Sequence, residues 1–267
     1  DWSEKVFIQD VEIADVSDEF GVFGVHGPKS TEKIASVLGG PGAPEKPLSF
    51  VRGSMVDAGV TVIATDSPLG EEGYEVICAA DDAEDVFDTL LTRGLNAAPF
   101  GYRTWDALTA EAGTPLFEYE LAGTVPNVLG LRNALDFEKG CYVGQEVVSR
   151  VENQGRPSRR LVGLTLDGRA DAVAEIDGDA DPEGYDALLP TAGAAVFAGD
   201  EAVGEVTRAA VGPASGDPIA LALVGFDADL GGATVRVDGD EVAASRADLP
   251  FVEGSARSAR LPAYPDA

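Results

Sequence analysis

The first half of the chain combines short apolar runs with longer segments in which apolar residues recur every three or four positions. The short runs predict strands near residues 6–13, 22–25, 49–52, 60–65 and 74–79. The longer segments predict one helix that begins at Pro28 and ends before Gly39, and two more over residues 82–92 and 105–112. Strands and helices in this order predict an α+β domain with an antiparallel sheet.

The second half of the chain contains short predicted strands separated by turns, such as those at residues 198–200 and 237–240. This pattern predicts a small antiparallel β-barrel or sandwich. The acidic, glycine-rich stretch at 167–184 predicts an inserted loop. Because a Gly-Arg-Pro-Ser sequence interrupts the pattern at Pro157, we predict an α+β domain over residues 1–157 and a C-terminal β-barrel domain over residues 158–267.

Acidic residues greatly outnumber basic ones. The 47 Asp and Glu residues against 19 Lys and Arg give a formal net charge of −28. Such a surface repels phosphate backbones, which argues against nucleic-acid binding. It also favours solubility in concentrated salt, and we take a salt-requiring, halophilic source as a hypothesis.

Cysteine usage and hydropathy indicate a cytoplasmic protein. Two cysteines are too few for a disulfide framework, which fits a reducing compartment. No run of roughly 18 apolar residues is present and the first residues lack a signal-peptide pattern, so we expect no membrane association. His26 is the only histidine, which excludes His-rich metal sites, and we predict a structural role for it in a turn.

Residues 139–146 place a lone thiol between two glycines and beside a lysine. Positive charge stabilises a thiolate, so Lys139 can favour a reactive Cys141. An inert Cys141 in a core is the alternative that these residues leave open. Cys78 alternates with other apolar residues of a predicted strand, and we predict that it packs inside.

The segment 139–160 reverses the sign of the chain locally, with five cations and two carboxylates. Its arginines, Arg150 among them, are consistent with a site for an anion such as a glutamate tail or a phosphate. Pairing of the same arginines with nearby carboxylates is equally consistent.

Glu75 interrupts a strand that has apolar residues on both sides of it. We predict a buried carboxylate, and burial without a hydrogen-bond donor costs several kcal/mol, on the order of the desolvation of a polar group. The donor is either an arginine or the parallel 2-amino and ring N–H groups of a pterin.

The segment at 139–146 resembles the K-G-C-[FY]-x-G-Q-E motif of the YgfZ family, which is related to the glycine-cleavage T-proteins. Segments that resemble both branches lie at residues 27–28, 70–76, 111–113 and 202–207. Cys141 and the Gln-Glu pair after it favour the YgfZ branch. Trp105 and Thr109 stand where T-proteins show arginines, which puts contacts made by those arginines in doubt.

The resemblance implies a ferredoxin-like half followed by the barrel, with tetrahydrofolate bound in a cleft between the two and its pterin held by Glu75. It assigns Cys141 as the catalytic residue. The candidate cofactor-binding residues are Glu75, Tyr74, Lys139, Tyr142, Gln145 and Arg150. No metal site is expected, and family members begin with about a hundred residues that precede this chain, including a catalytic aspartate.

The implied role is folate-dependent support of one-carbon or iron–sulfur enzymes, which are the expected partners. Two alternatives stay open beside it. The first is an aminomethyltransferase that passes a one-carbon unit to tetrahydrofolate. The second is a non-catalytic module that binds folate or a partner protein. An acidic folded domain that binds no ligand is the remaining case.

Overall fold

A computed structural model describes residues 12–168 and 186–264 of the chain. They form two compact units: residues 12–25, 29–65 and 74–98 make the first, and the other described residues make the second. The predicted strand at 6–13 and the inserted loop at 167–184 fall almost entirely outside the described residues. The division at residue 157 into a folate-binding domain and a barrel domain stays a prediction.

The first unit is built around a four-stranded sheet. Its strands are β1 (Phe20–His26), β2 (Phe50–Met55), β3 (Ala58–Ala64) and β4 (Gly73–Ala79), in the order β1-β4-β3-β2. The pairs β2–β3 and β3–β4 are antiparallel. The α+β prediction is confirmed, and the strands begin and end within a few residues of the predicted positions.

Helices α1 (Ser30–Val37) and α2 (Ala83–Thr92) cover one face of this sheet. Ile34 of α1 and Val86 and Leu90 of α2 belong to the same buried cluster as the strand residues Val60, Val62, Tyr74, Val76 and Cys78. Full burial of each aliphatic side chain contributes about 1.5–3 kcal/mol, so the helices are held by the apolar stripe that the sequence predicted.

Lys33 ties the two helices together at the end of α2. Its side chain is almost fully buried, and Nζ donates to the carbonyl oxygens of Arg93 at 2.5 Å and Leu95 at 2.7 Å. Carbonyl oxygens at a helix C-terminus lack intrahelical partners and carry partial negative charge, so a lysine is a favourable donor there.

The second unit contains a closed antiparallel barrel of six strands. These are β5 (Arg159–Leu166), β6 (Ala195–Ala198), β7 (Glu201–Val211), β8 (Pro218–Gly225), β9 (Ala233–Val237) and β10 (Asp240–Ala247), in the order β10-β5-β8-β7-β6-β9. Alternate residues of each strand fill its interior, among them Leu164, Val196 and Val235, which are fully buried. Closure removes exposed strand edges, and the predicted barrel is confirmed.

Helix α3 (Tyr102–Glu111) packs on the barrel through its C-terminal turn. The carboxylate of Glu111 accepts hydrogen bonds from the amides of Ala214 at 3.0 Å and Ser215 at 3.2 Å, in the loop between β7 and β8. The helix predicted over residues 105–112 is confirmed and begins earlier than expected, at Tyr102.

A buried ion pair joins β7 to a π-helical turn at Phe117–Leu121. Nε of Arg208 lies 3.5 Å from Oε1 of Glu120, and both side chains are almost fully buried. The guanidinium also donates to Oγ1 of Thr109 at 2.6 Å and to the carbonyl of Thr114 at 2.8 Å. Burial lowers the pKa of Arg208 below its usual value, although the carboxylate of Glu120 opposes this shift. Removing one partner of such a pair costs about 3–5 kcal/mol, so this turn is firmly fixed.

The sequence predicted no helix after residue 112, and this is wrong for residues 145–154. They form helix α4 (Gln145–Gln154), which begins after Gly144 at a left-handed φ of 89°. In this helix Val148 is buried while Val147 is exposed. Its three valines, Val147, Val148 and Val151, recur at helical spacing, and the sequence analysis overlooked this short pattern.

Candidate functional site

The face of the β1–β4 sheet that faces away from α1 and α2 is open and largely apolar. Residues two apart on a strand share a face, so the burial of Tyr74, Val76 and Cys78 places Glu75 and Ile77 on this open face. The side chains of Phe20, Val22 and Phe50 also lie there, and each remains more than half exposed. Large exposed apolar patches mark binding surfaces more often than isolated exposed residues do.

Glu75 lies in the middle of this open face. The strand register puts it opposite Ile63 on β3, and Ile63 in turn lies opposite Phe50 on β2. Paired residues on neighbouring strands have Cβ atoms about 4.5–5.5 Å apart, so the carboxylate has an apolar neighbour in contact range and an aromatic ring one strand further.

The prediction that Glu75 is buried is wrong, because its side chain is exposed. The alternation of β4 explains the difference: only the face with Tyr74, Val76 and Cys78 is covered by helices. With the other described residues the Glu75 carboxylate forms no hydrogen bond or ion pair, so the predicted arginine partner is not found among them. The carboxylate is free to accept hydrogen bonds from a ligand.

Tyr74 is on the covered face and is a core residue. Its side chain is buried, its hydroxyl shares a hydrogen bond of 2.7 Å with Oγ1 of Thr31, and it donates to the carbonyl of Pro44 at 3.4 Å. The structure thus gives Tyr74 a role in packing, and its predicted role in cofactor binding stays a prediction. Cys78 is buried on the same face of β4, and burial raises the pKa of its thiol.

Cys141 lies at the turn that leads into α4, in the second unit. Its thiol is free and exposed, which excludes the alternative of an inert core cysteine. Oδ1 of Asp136 accepts the amides of Glu138 at 2.9 Å and Lys139 at 3.1 Å, and these bonds fix the approach to the turn. The turn therefore presents the sulfur to solvent.

The polar residues of the motif bond mainly to one another. Oε1 of Gln145 accepts the amide of Tyr142 at 3.1 Å, which closes the turn before α4. Nζ of Lys139 lies 4.8 Å from the centre of the Tyr142 ring, within range of a cation–π contact. The structure thus gives Lys139, Tyr142 and Gln145 roles in shaping the turn, and their predicted role in cofactor binding stays a prediction.

Three of the four arginines of the basic segment have carboxylate partners among the described residues, and the fourth, Arg160, donates to a backbone carbonyl instead. Arg150 pairs with Glu146 at 2.7 Å, Arg156 with Asp227 at 2.6 Å and Arg159 with Glu205 at 2.9 Å. Of the two explanations that the sequence left open, pairing describes these contacts. Exposed pairs spaced four residues apart on a helix contribute only about 0.3–0.5 kcal/mol, so a ligand anion can displace Glu146 from Arg150 at small cost.

His26 was predicted to lie in a turn and instead is the last residue of β1, where its contacts are with the protein interior. The ring is 5.4 Å from that of Trp105 in an edge-on arrangement, and its Nδ1 is buried without a partner among the described residues. Burial lowers the pKa of His26 to about 4, so the ring is neutral at neutral pH.

The predicted site residues lie in both units: Glu75 belongs to the first, and Cys141 and Arg150 belong to the second. Their convergence on one cleft stays a prediction. Sequence analysis overlooked Phe20, Val22 and Phe50. For Phe20 and Val22 the signal was present in β1, where apolar residues occupy both faces although helices cover only one of them.

Within residues 12–168 and 186–264, no three His, Cys, Asp or Glu side chains are grouped so that they could hold a metal ion. None of the helices described there has the length and apolar character needed to cross a membrane.

Comparison with protein families gives two matches that follow each other along the chain. The GCVT N-terminal domain matches residues 1–139, and the glycine cleavage T-protein C-terminal barrel domain matches residues 159–253.

Similar curated proteins are named aminomethyltransferase. The one from Geobacillus kaustophilus is 32% identical over 248 residues, which are 91% of this chain and 63% of the relative. The one from Streptomyces avermitilis is 33% identical over 222 residues, which are 80% of this chain and 54% of the relative. The chain thus spans less than two thirds of the length of these relatives.

A solved structure, the glycine cleavage system aminomethyltransferase T from Bartonella henselae, superposes with a TM-score of 0.59 at 18% identity. The superposition covers 90% of this chain and 88% of that one. At this identity the likeness concerns the fold.

Proposed function

Because the chain belongs to the glycine cleavage T-protein family, we propose that it binds tetrahydrofolate and serves a folate-dependent one-carbon transfer, with Glu75 holding the pterin ring. The observation that carries the proposal is the exposed Glu75 carboxylate on an apolar sheet face, without a partner among the described residues.

The chemistry of this face fits a pterin. The 2-amino group and the neighbouring ring N–H are parallel donors, and one carboxylate can accept both in a bidentate, charge-assisted contact. Ile63 and Phe50, next along the same row of the sheet, offer apolar surface for the flat ring. A few polar groups on a mostly apolar surface is the usual composition of a small-molecule site.

In this proposal bound tetrahydrofolate supplies the nitrogen atoms that accept the one-carbon unit. Glu75 fixes the rotation of the pterin ring within the plane of the ring, because one carboxylate can accept both donors in only one in-plane arrangement. The apolar side chains beside it exclude water from one side of the ring. Holding the ring in one orientation lowers the entropic part of the activation barrier to one-carbon transfer, because the binding contacts have already fixed the geometry of the reactant.

Two forms of one-carbon function are compatible with this site. The names of the relatives favour transfer of an aminomethyl group to tetrahydrofolate. The exposed thiol of Cys141 favours the second form, a YgfZ-like protein that supports iron–sulfur or one-carbon enzymes and uses that thiol. Of the two, the aminomethyltransferase form has the stronger support, since the YgfZ assignment depends on the 139–146 motif.

Thermal unfolding in the presence of tetrahydrofolate tests the shared part of the proposal. A ligand at a hundred times its dissociation constant stabilises the folded state by about 2.7 kcal/mol, which raises the unfolding midpoint. We expect this rise for the wild type and its loss in Glu75→Gln. Glu71→Gln is the matched control, since it removes the same charge from an exposed residue in the turn before β4 and should keep the rise. An equal rise in both variants would show that Glu75 does not hold the ligand.

Replacing Cys141 separates the two forms. In an aminomethyltransferase, Cys141→Ala should leave aminomethyl transfer and folate affinity unchanged. In the YgfZ-like form, Cys141→Ala should keep folate affinity and lose the supporting activity. Cys78 is buried, so alkylation of the native wild type offers an independent check, because it modifies Cys141 selectively.

A further inference from the structure

Two arginines extend the inward-facing rows of neighbouring strands at one end of the barrel, where Arg160 is half-buried and Arg246 is exposed. On β5 the residues Val162, Leu164 and Leu166 belong to the barrel core, and the preceding residue on the same strand face is Arg160. On β10 the core residues are Val242 and Ala244, and the next one on that face is Arg246. The inward rows of two neighbouring strands therefore both end in an arginine.

Both arginines line one cleft in the surface of the second unit. Its volume is about 420 Å³, and the rest of its lining is Ser245 and the loop 228–232 between β8 and β9. Volumes of this size accommodate small organic ligands, and the mouths of β-barrels are common positions for such sites.

This cleft carries more positive than negative charge, although the chain as a whole is strongly acidic. Arg246 forms no ion pair with another described residue. Arg160 donates from Nη2 to the carbonyl of Ala228 at 3.2 Å, while its Nε is buried without a partner among the described residues. The one acidic residue in the lining is Asp229, whose Oδ1 already accepts the amide of Gly231 at 2.9 Å.

The two guanidiniums are close enough to repel each other. Burial lowers the pKa of Arg160, and the positive charge of Arg246 lowers it further. Tyr264 and the Asp227 carboxylate oppose this shift in pKa. A group with two negative charges between them would remove this repulsion and satisfy donors that now lack acceptors. A monovalent ion such as chloride could neutralise only one of them.

We propose that this cleft binds a small oxyanion with two negative charges, held between Arg160 and Arg246. The chemistry is that of a phosphate group or a dicarboxylate, both of which present paired oxygens that match the planar donor set of a guanidinium. The lining residues all belong to the second unit, whereas Glu75 belongs to the first.

Titration of the whole chain with inorganic phosphate and with glutarate, at an ionic strength held constant with chloride, tests this proposal. We expect saturable binding of at least one of the two, seen as heat in a calorimeter and as a rise in the unfolding midpoint. Arg246→Gln should weaken that binding at least tenfold. The matched control is Arg236→Gln on the adjacent strand β9, an exposed arginine that pairs with Glu241 at 3.4 Å and should bind like the wild type.

The response to the two anions identifies the chemical class of the ligand. Binding of phosphate points to a phosphorylated ligand, and binding of glutarate alone points to a carboxylate ligand. Arg246→Lys keeps the charge and should lose less affinity than Arg246→Gln, which guards against a general effect on folding. Glu75→Gln should leave this binding unchanged even where it removes binding of tetrahydrofolate. Absence of saturation with both anions, or equal affinities of the Arg246→Gln and Arg236→Gln variants, would overturn the proposal.

Discussion

At the scale of single residues, His26 gives the clearest electrostatic prediction. The lowered pKa means that the folded protein resists protonation of this ring, whereas the unfolded chain binds a proton below about pH 6.5. Stability linked to His26 is therefore complete above pH 6.5 and is lost as the pH falls towards 4. Because solvent screens the half-buried ring, the expected loss in the free energy of unfolding is reduced to about 2 kcal/mol.

Proton NMR can follow this titration directly, because the chain has one histidine and its ring signals need no assignment by mutation. We expect a midpoint near 4. The stability difference between the wild type and His26→Gln should shrink by about 2 kcal/mol between pH 7 and pH 4. A midpoint near 6.5, with a difference that does not change with pH, would show that the ring is solvated.

Glu75 shows how much of the environment of a single residue can be predicted from the sequence. Its neighbours Val76 and Ile77 made the strand look apolar on both faces, and the sequence does not show which face the helices cover. Only the packing of α1 and α2 decides this, and it leaves Glu75 exposed. The sequence therefore singled out Glu75 as a candidate site residue, whereas its environment depends on contacts between distant parts of the chain.

At the scale of elements, the hairpin of β2 and β3 supports the row of residues around Glu75. Gly53 on β2 lies against the carbonyl oxygen of Gly39, and a Cβ atom there would also come within 2.8 Å of Cδ1 of Leu38. Gly59 on β3 has no heavy atom within 4 Å of the same position. Two glycines in one hairpin therefore differ in how much space a methyl group has.

We expect Gly53→Ala to destabilise the fold by about 1–3 kcal/mol, the usual cost of overpacking. Gly59→Ala should be neutral or slightly stabilising, because alanine restricts the unfolded chain more than glycine does. Urea unfolding of both variants measures the difference. Equal effects would mean that the approach of Gly39 to β2 is not a fixed part of the fold.

The elements that sequence analysis predicted best have wide apolar faces. Helix α2 buries Val86, Thr89 and Leu90 at helical spacing, and its prediction was confirmed. Helix α4 was missed because it is polar and rich in β-branched valine, which favours strands in isolation. Its start depends on the left-handed Gly144 and the Gln145 side chain, which are local contacts without a periodic pattern.

At the scale of the whole molecule, the barrel and the family were predicted from turns, strand spacing and motifs, while the YgfZ branch has no specific support from the relatives. The excess of acidic residues remains the strongest global feature. Like charges repel across a compact surface, and salt shortens the range of this repulsion from about 10 Å at 0.1 M to about 3 Å at 1 M.

We therefore expect the unfolding midpoint to rise as potassium chloride increases from 0.1 M to 2 M. A gain of about 2 kcal/mol corresponds to a rise of about 4–8 °C for a chain of this size. An equal concentration of a neutral solute is the control. A midpoint that does not change with salt would remove the hypothesis of a salt-requiring protein.

The central claim, that Glu75 accepts the donors of a pterin, is tested most directly by changing both partners. Dissociation constants are measured for tetrahydrofolate and for an analogue with a methyl group in place of the 2-amino group, each with the wild type and Glu75→Gln. A charge-assisted contact predicts a coupling of about 1.5–3 kcal/mol: the analogue binds the wild type at least tenfold more weakly, and the variant hardly distinguishes the two ligands. If the variant distinguishes them as strongly as the wild type does, Glu75 does not hold the pterin.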